Sequence, residues 1–234
     1  MSSSQSTISG PFLRSRWMVL VIMLCARTGV GFQFIAVAAL IPQLRSELHL
    51  NYTQIGLLPG MFMITGVLLS LPSRMIAARL GDRRTLLAGL VALIAGSACM
   101  GMSQTFYWAL VGRLMGGIGA VFITVTAAKV LTDWFTGKEM ATAMSLLGVT
   151  WPVGIALGIS LLPLVNAWDS WRTAVYITAA MPALSLFLIP ILPKTAPGSH
   201  ERSQTKAARS SVWSIRRREL WTILAGGLAW PLMS

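Results

Sequence analysis

Two arginines stand inside apolar stretches, where a charge is expensive. Arg27 falls within the run from Trp17 to Ile41, and Arg113 within Phe106 to Leu131. At 1.5 Å per helical residue, Arg27 is roughly 15 Å from the nearer end of its run, too deep for its side chain to reach water comfortably along the helix surface. A guanidinium at such a depth must face a wet cavity or hydrogen-bonding partners. Either it binds an anionic or electron-rich solute, or it is tied to backbone carbonyls of neighbouring helices. The same two roles are open to Arg113, which could line the same path or cap backbone groups of the first two helices. Phe34 and Trp151 are the aromatic candidates for the wall of such a path, unless they merely pack.

Acidic groups are missing from these runs. Glu47, Asp82, Asp133, Glu139, Asp169, Glu201 and Glu219 all fall in loops or at the ends of apolar segments, as do His49 and His200. The chain therefore offers no intramembrane carboxylate or imidazole relay, and a path with two arginines favours anions or polar neutral solutes over cations. Cys25 and Cys99 have no metal-ligand spacing. No nucleophile, metal or phosphate-loop constellation is present, so neither enzymatic chemistry nor a cofactor is expected.

The elements that must position these groups follow from composition. Of 234 residues, 55% are hydrophobic and only 11% charged, with a mean hydropathy of +0.69. That is the profile of an all-α polytopic membrane protein with the lipid bilayer as its surroundings. A net charge of +12 in a soluble chain would suggest nucleic acid, but here the placement of the charges argues against it. The segment Arg74 to Arg84 is a charged hinge between two apolar runs, and its four arginines against one aspartate assign it to the cytoplasm. By alternation, fifteen lysines and arginines then lie on the cytoplasmic side, and only Arg45 and Arg172 on the other.

Residues 1–16 read as a disordered cytoplasmic tail, and 17–193 as six spans. The expected spans are Trp17 to Ile41, Gln54 to Ala77, Thr85 to Met102, Phe106 to Leu131, Met140 to Val165 and Thr173 to Leu192. Trp168 and Trp171 should mark the membrane boundary before the sixth span. Residues 194–219 form a basic cytoplasmic linker. Residues 220–234 begin a seventh span and stop short of the roughly 20 residues a crossing needs.

Several motifs give this layout a family resemblance. Arg79-Leu80-Gly81 with Arg83-Arg84 resembles the signature between the second and third helices of the major facilitator superfamily, with Ala78 where that pattern has Asp and Arg74 where it has its first Gly. Arg113-x-x-x-Gly117-x-Gly119-Ala120 resembles the superfamily's fourth-helix motif, with Gly116 in place of Gln. Gly148-x-x-x-Pro152, Gly154 and Gly158 resemble the Gly/Pro motif of antiporters, with Trp151 replacing a Gly. Arg27, Gln33-Phe34, Ile41-Pro42-Gln43-Leu44 and Trp151-Pro152-Val153-Gly154 look most like bacterial cyanate and nitroimidazole type porters.

The resemblance implies the N-terminal six-helix bundle of such a transporter, built from two inverted three-helix repeats, whose missing C-terminal half is its partner. It implies a small-molecule substrate carried across the inner membrane by alternating access. Arg27, Arg113, Phe34 and Trp151 are the substrate-site candidates. Arg79, Gly81, Asp82, Arg83 and Asp133 are gating candidates; Asp82 stands in for the family's Asp or the lock is weaker, and Asp133 pairs with Arg79 or Arg83 in a cytoplasmic latch or is a solvated charge. The competing reading is a non-transporting receptor or regulatory remnant that docks through its basic loop.

Overall fold

The computed structural model describes residues 10–135 and 137–191; the expected linker and seventh span lie outside them, as does most of the N-terminal tail. Its helices are α1 (Gly10–Ala39), α2 (Ile41–Glu47), α3 (Tyr52–Leu80), α4 (Asp82–Gly101), α5 (Phe106–Trp134), α6 (Gly137–Trp168), α7 (Trp171–Ile177) and α8 (Ala180–Leu188), followed by a 3₁₀ turn, Ile189–Ile191. No strand occurs among the described residues. Five helices, α1, α3, α4, α5 and α6, are long and apolar enough to cross a membrane.

Local chemistry sets the boundaries. Asn51 and Gln54 form a reciprocal capping box that starts α3. The charged hinge shrinks to a single residue, Gly81, at φ +82°, a conformation that favours glycine. Both flanking helices run further into the hinge than the apolar pattern indicates, because Arg79, Arg83 and Arg84 are good helix formers once exposed. Beyond α1, Ile41–Glu47 is a short helix with Pro42 in its first turn, where the missing N–H costs nothing.

The sixth expected span is two helices, α7 and α8, broken at Thr178–Ala179. Pro182 has no N–H to give the Thr178 carbonyl, and the N–H groups of Thr178 and Ala179 donate three residues back, to Val175 and Tyr176. Trp171 is not an exposed anchor. It is 1% exposed in a core cluster with Leu40, Leu44, Leu58 and Leu162, while Trp168 is 87% exposed. Arg172 lies over the Trp171 ring at 4.7 Å and donates to the carbonyls of Gly101 and Ser103, drawing the tryptophan inward.

Glycines let backbones meet. A Cβ placed on Gly96 of α4 would lie 2.6 Å from the Gly116 nitrogen and 2.7 Å from the Gly112 oxygen of α5. On the other side of the bundle, a Cβ on Gly31 of α1 would stand 2.6 Å from the Trp151 oxygen of α6. Each seam carries an ion pair at the Gly81 end: Lys129 to Asp82 (2.5 Å) between α5 and α4, and Arg16 to Glu139 between α1 and α6.

Candidate functional site

α1 passes between the two seams and presents its residues in turn to α3, α5 and α6. A cavity of about 220 Å³ opens there, lined by Val30 of α1, Phe62 and Met63 of α3, Thr124 of α5 and Trp151 of α6, among others. Its walls are mostly apolar. Thr124 and Ser70 supply hydroxyls.

Arg27 sits beside this space. Its guanidinium donates to the Thr124 hydroxyl at 2.7 Å, and its buried Nε has no partner. A cation with spare donors next to a lining hydroxyl can accept a carboxylate, another oxyanion or a polyol oxygen. Phe34 stacks at a tilt on Trp151, with ring centroids 5.3 Å apart, and lies 5.6 Å from Phe62. The two aromatic candidates therefore meet, forming one continuous wall with Phe62.

Arg113 is placed differently. It is 1% exposed, and donates to the carbonyls of Gln33 and Phe34 on α1 at 2.8 Å each and, more weakly, to Leu58 of α3 at 3.5 Å. Phe62 covers its guanidinium at 4.8 Å. This is the backbone-capping geometry, with the charge dispersed over carbonyl dipoles. Arg27 and Arg113 thus share α1 and α5 as supports without sharing a ligand position.

The gating candidates cluster at the Gly81 end. Arg79 and Arg83 are exposed. Asp82 pairs with Lys129, and Asp133 makes no ion pair with Arg79 or Arg83 among the described residues. The expected Asp133 pair does not form; Asp82 reaches Lys129 because α4 begins at Asp82 and brings that carboxylate to the flank of α5. From sequence, Lys129 at a helix end reads as a snorkelling residue or a gating one. Thr124 carries no sequence signal that singles it out, being one threonine among several on α5. Gln33, part of the resemblance but given no role by it, donates to Leu93 and Ser97 of α4.

Known proteins resemble this chain. The family model of the Major Facilitator Superfamily matches residues 14–234. Among curated proteins, the inner membrane transport protein YajR of Escherichia coli K12 is 25% identical over 141 residues, covering 58% of this chain and 30% of its own length. Facilitated glucose transporter member 10 of solute carrier family 2, from Mus musculus, is 26% identical over 182 residues, covering 73% of this chain and 34% of its own. The chain thus spans about a third of the length of these relatives. A solved structure of the proton:xylose symporter XylE, bound to 6-bromo-6-deoxy-D-glucose, superposes with a TM-score of 0.67 at 13% identity, over 77% of this chain and 45% of that one; this likeness is one of fold. With the helical bundle, the glycine seams and the family match over nearly its whole length, the chain is a multi-pass membrane protein that belongs to the major facilitator superfamily.

Proposed function

We propose that this chain is the N-terminal half of a secondary active transporter that carries a small anionic or polar organic solute across the inner membrane by alternating access. The observation that carries the reading is Arg27. It is a cation within a membrane span, held by Thr124, with a buried unpartnered Nε beside a cavity walled by Val30, Phe62 and Trp151. Keeping a charge there costs several kcal/mol unless a ligand or water repays it, so its retention points to a solute contact. Phe34 and Trp151 form the wall, and Arg113 holds α1 against α5 and α3 from behind it. The Asp82–Lys129 pair and the exposed Arg79 and Arg83 make up the gate at the Gly81 end, which faces the cytoplasm together with the N-terminus.

The partner is a second six-helix half, since the relatives are about three times as long. Relatives named for glucose and xylose make a neutral sugar the main competitor to an anion. The test is uptake into proteoliposomes by the full-length transporter, using a panel of cyanate, acetate, phosphate, glucose and xylose. Arg27→Ala should abolish anion uptake while leaving the protein at normal level in the membrane. Normal anion uptake by that variant overturns the site assignment. Sugar uptake that survives the change identifies a neutral solute bound elsewhere on the wall.

A further inference from the structure

Three faces of α1 do three different things. Arg27, Val30 and Phe34, at i, i+3 and i+7, turn toward the cavity and its aromatic wall. Gly31 turns toward α6. Gly29 faces the α7–α8 break, and Gln33, one turn on, reaches α4. A Cβ on Gly29 would stand 2.8 Å from Cδ of Pro182, the residue that causes the break.

Gln33 is 4% exposed, and its side-chain orientation follows from what surrounds it. The atom 3.0 Å from the Leu93 carbonyl must be the amide nitrogen, because a carbonyl only accepts. Its second hydrogen goes to the Ser97 hydroxyl at 2.7 Å. Ser97 then has its own proton free for the Thr178 hydroxyl, 2.8 Å away. Thr178 in turn donates to the Val175 carbonyl at 2.6 Å, which also takes the Thr178 N–H. The chain Gln33 to Ser97 to Thr178 to Val175 therefore runs in one direction, with every proton assigned. It is wholly buried: Ser97 is 1% exposed and Thr178 0%. Donors and acceptors in series polarise one another, and none of the three side chains can turn away without leaving a buried group unpaired.

We infer that Gln33 is the positioning residue that couples the cavity to the break in the sixth span, with Ser97 and Thr178 as the link. The backbone carbonyl of Gln33 is held by Arg113 while its side chain is held by α4. A rotation of α1 that moves Arg27 and Phe34 must therefore shift the hydroxyl chain and the α7–α8 junction, and bending at the junction must pull on α1. That this coupling serves solute movement rests on the transport reading. The coupling itself does not.

Hydrogen–deuterium exchange of the full chain in lipid nanodiscs tests it with no solute present. Thr178→Val keeps the shape and removes the hydroxyl. We expect amides of residues 176–184 and also of residues 30–37 on α1 to exchange about tenfold faster, with α5 residues 116–126 unchanged. Thr178→Ser should restore wild-type exchange in both segments. If Thr178→Val does not fold, Ser97→Ala breaks the same chain from the α4 side and should give the same pair of changes. Faster exchange confined to 176–184 reduces the hydroxyl to a local cap and overturns the coupling, as does no change in either segment. Neither result bears on whether Arg27 binds a solute, so the two readings fail separately.

Discussion

Arg27 and Arg113 are the same residue type in the same kind of setting, and their surroundings are opposite. Around Arg113 every nearby surface is closed. Three carbonyls take its protons, Phe62 caps its face, and the glycines Gly112, Gly116 and Gly117 bring α4 and α3 against its helix. Around Arg27 one threonine hydroxyl is satisfied, Nε is left over and a cavity adjoins. What separates the two is the number of donors the protein itself consumes. Depth in the membrane, which the sequence shows, is shared by both.

The sharpest way to break this contrast is to remove each arginine and compare thermal unfolding in detergent. Arg113→Leu removes two charge-assisted hydrogen bonds to α1 carbonyls and the Phe62 contact, and should cost about 3 kcal/mol. Arg113→Lys should recover little, since an ammonium cannot reproduce a planar fork reaching two adjacent carbonyls. An Arg113→Leu chain that melts with the wild type would mean these bonds contribute nothing net, and the two arginines would then be equivalent.

Closed and open regions also differ at their glycines. Gly96 and Gly119 meet backbone on the facing helix, whereas Gly60 of α3 and Gly148 of α6 have nothing within 4 Å. Only 22% of the α3 span and 28% of the α6 span are buried, against 56% for α1 and α5. Gly96→Ala should therefore destabilise by about 1–3 kcal/mol through forced separation of α4 and α5. Gly60→Ala and Gly148→Ala should be neutral or stabilising by about 0.5–1 kcal/mol, from helix propensity alone. A Gly60→Ala change that is silent in this chain and harmful in the full-length transporter would place the second half on the open face of α3.

Much of this was legible because lipid leaves the chain few choices. The five long spans follow from apolar run length, the Gly81 turn from a charged interruption, and the fold from both together with the family motifs. The failures are local and physical. The sixth span was read as continuous although Pro182 was visible, because membrane helices tolerate proline wherever neighbours repair the backbone, as α3 does at Pro59 and Pro72 and α6 at Pro152 and Pro163. Trp171 reads by type as a boundary residue, and its packing with Leu40, Leu44, Leu58 and Leu162 shows it as core. At the site, Arg27 stood out as a charge, but its partner Thr124 did not, since hydroxyls in membrane helices usually bond their own helix, as Thr65 does to Met61.

Arg27 supplies a smaller effect of the opposite kind. Arg27→Leu loses one hydrogen bond to Thr124 but relieves an under-compensated charge, so the variant should be unchanged or more stable, by up to about 2 kcal/mol. Solute protection against unfolding should disappear in the same variant. A large loss of stability from Arg27→Leu would erase its difference from Arg113 and make it a second packing arginine.

The smallest effects belong to the two ion pairs at the Gly81 end. Lys129 and Asp82 remain 44% and 30% exposed, and Glu139 53% exposed opposite Arg16. Water screens such pairs and long side chains lose entropy in forming them, so Asp82→Asn and Glu139→Gln should each cost about 0.2–1 kcal/mol. High salt should shrink the difference from wild type further. The seams they close, α4 with α5 and α1 with α6, are held along their length by backbone contact at glycines, which salt does not weaken. The pairs are thus suited to opening and closing without unfolding the bundle. If either charge removal costs as much as Gly96→Ala, the seams are held chiefly by their ends, and the Gly81 end is a structural clamp in place of a gate.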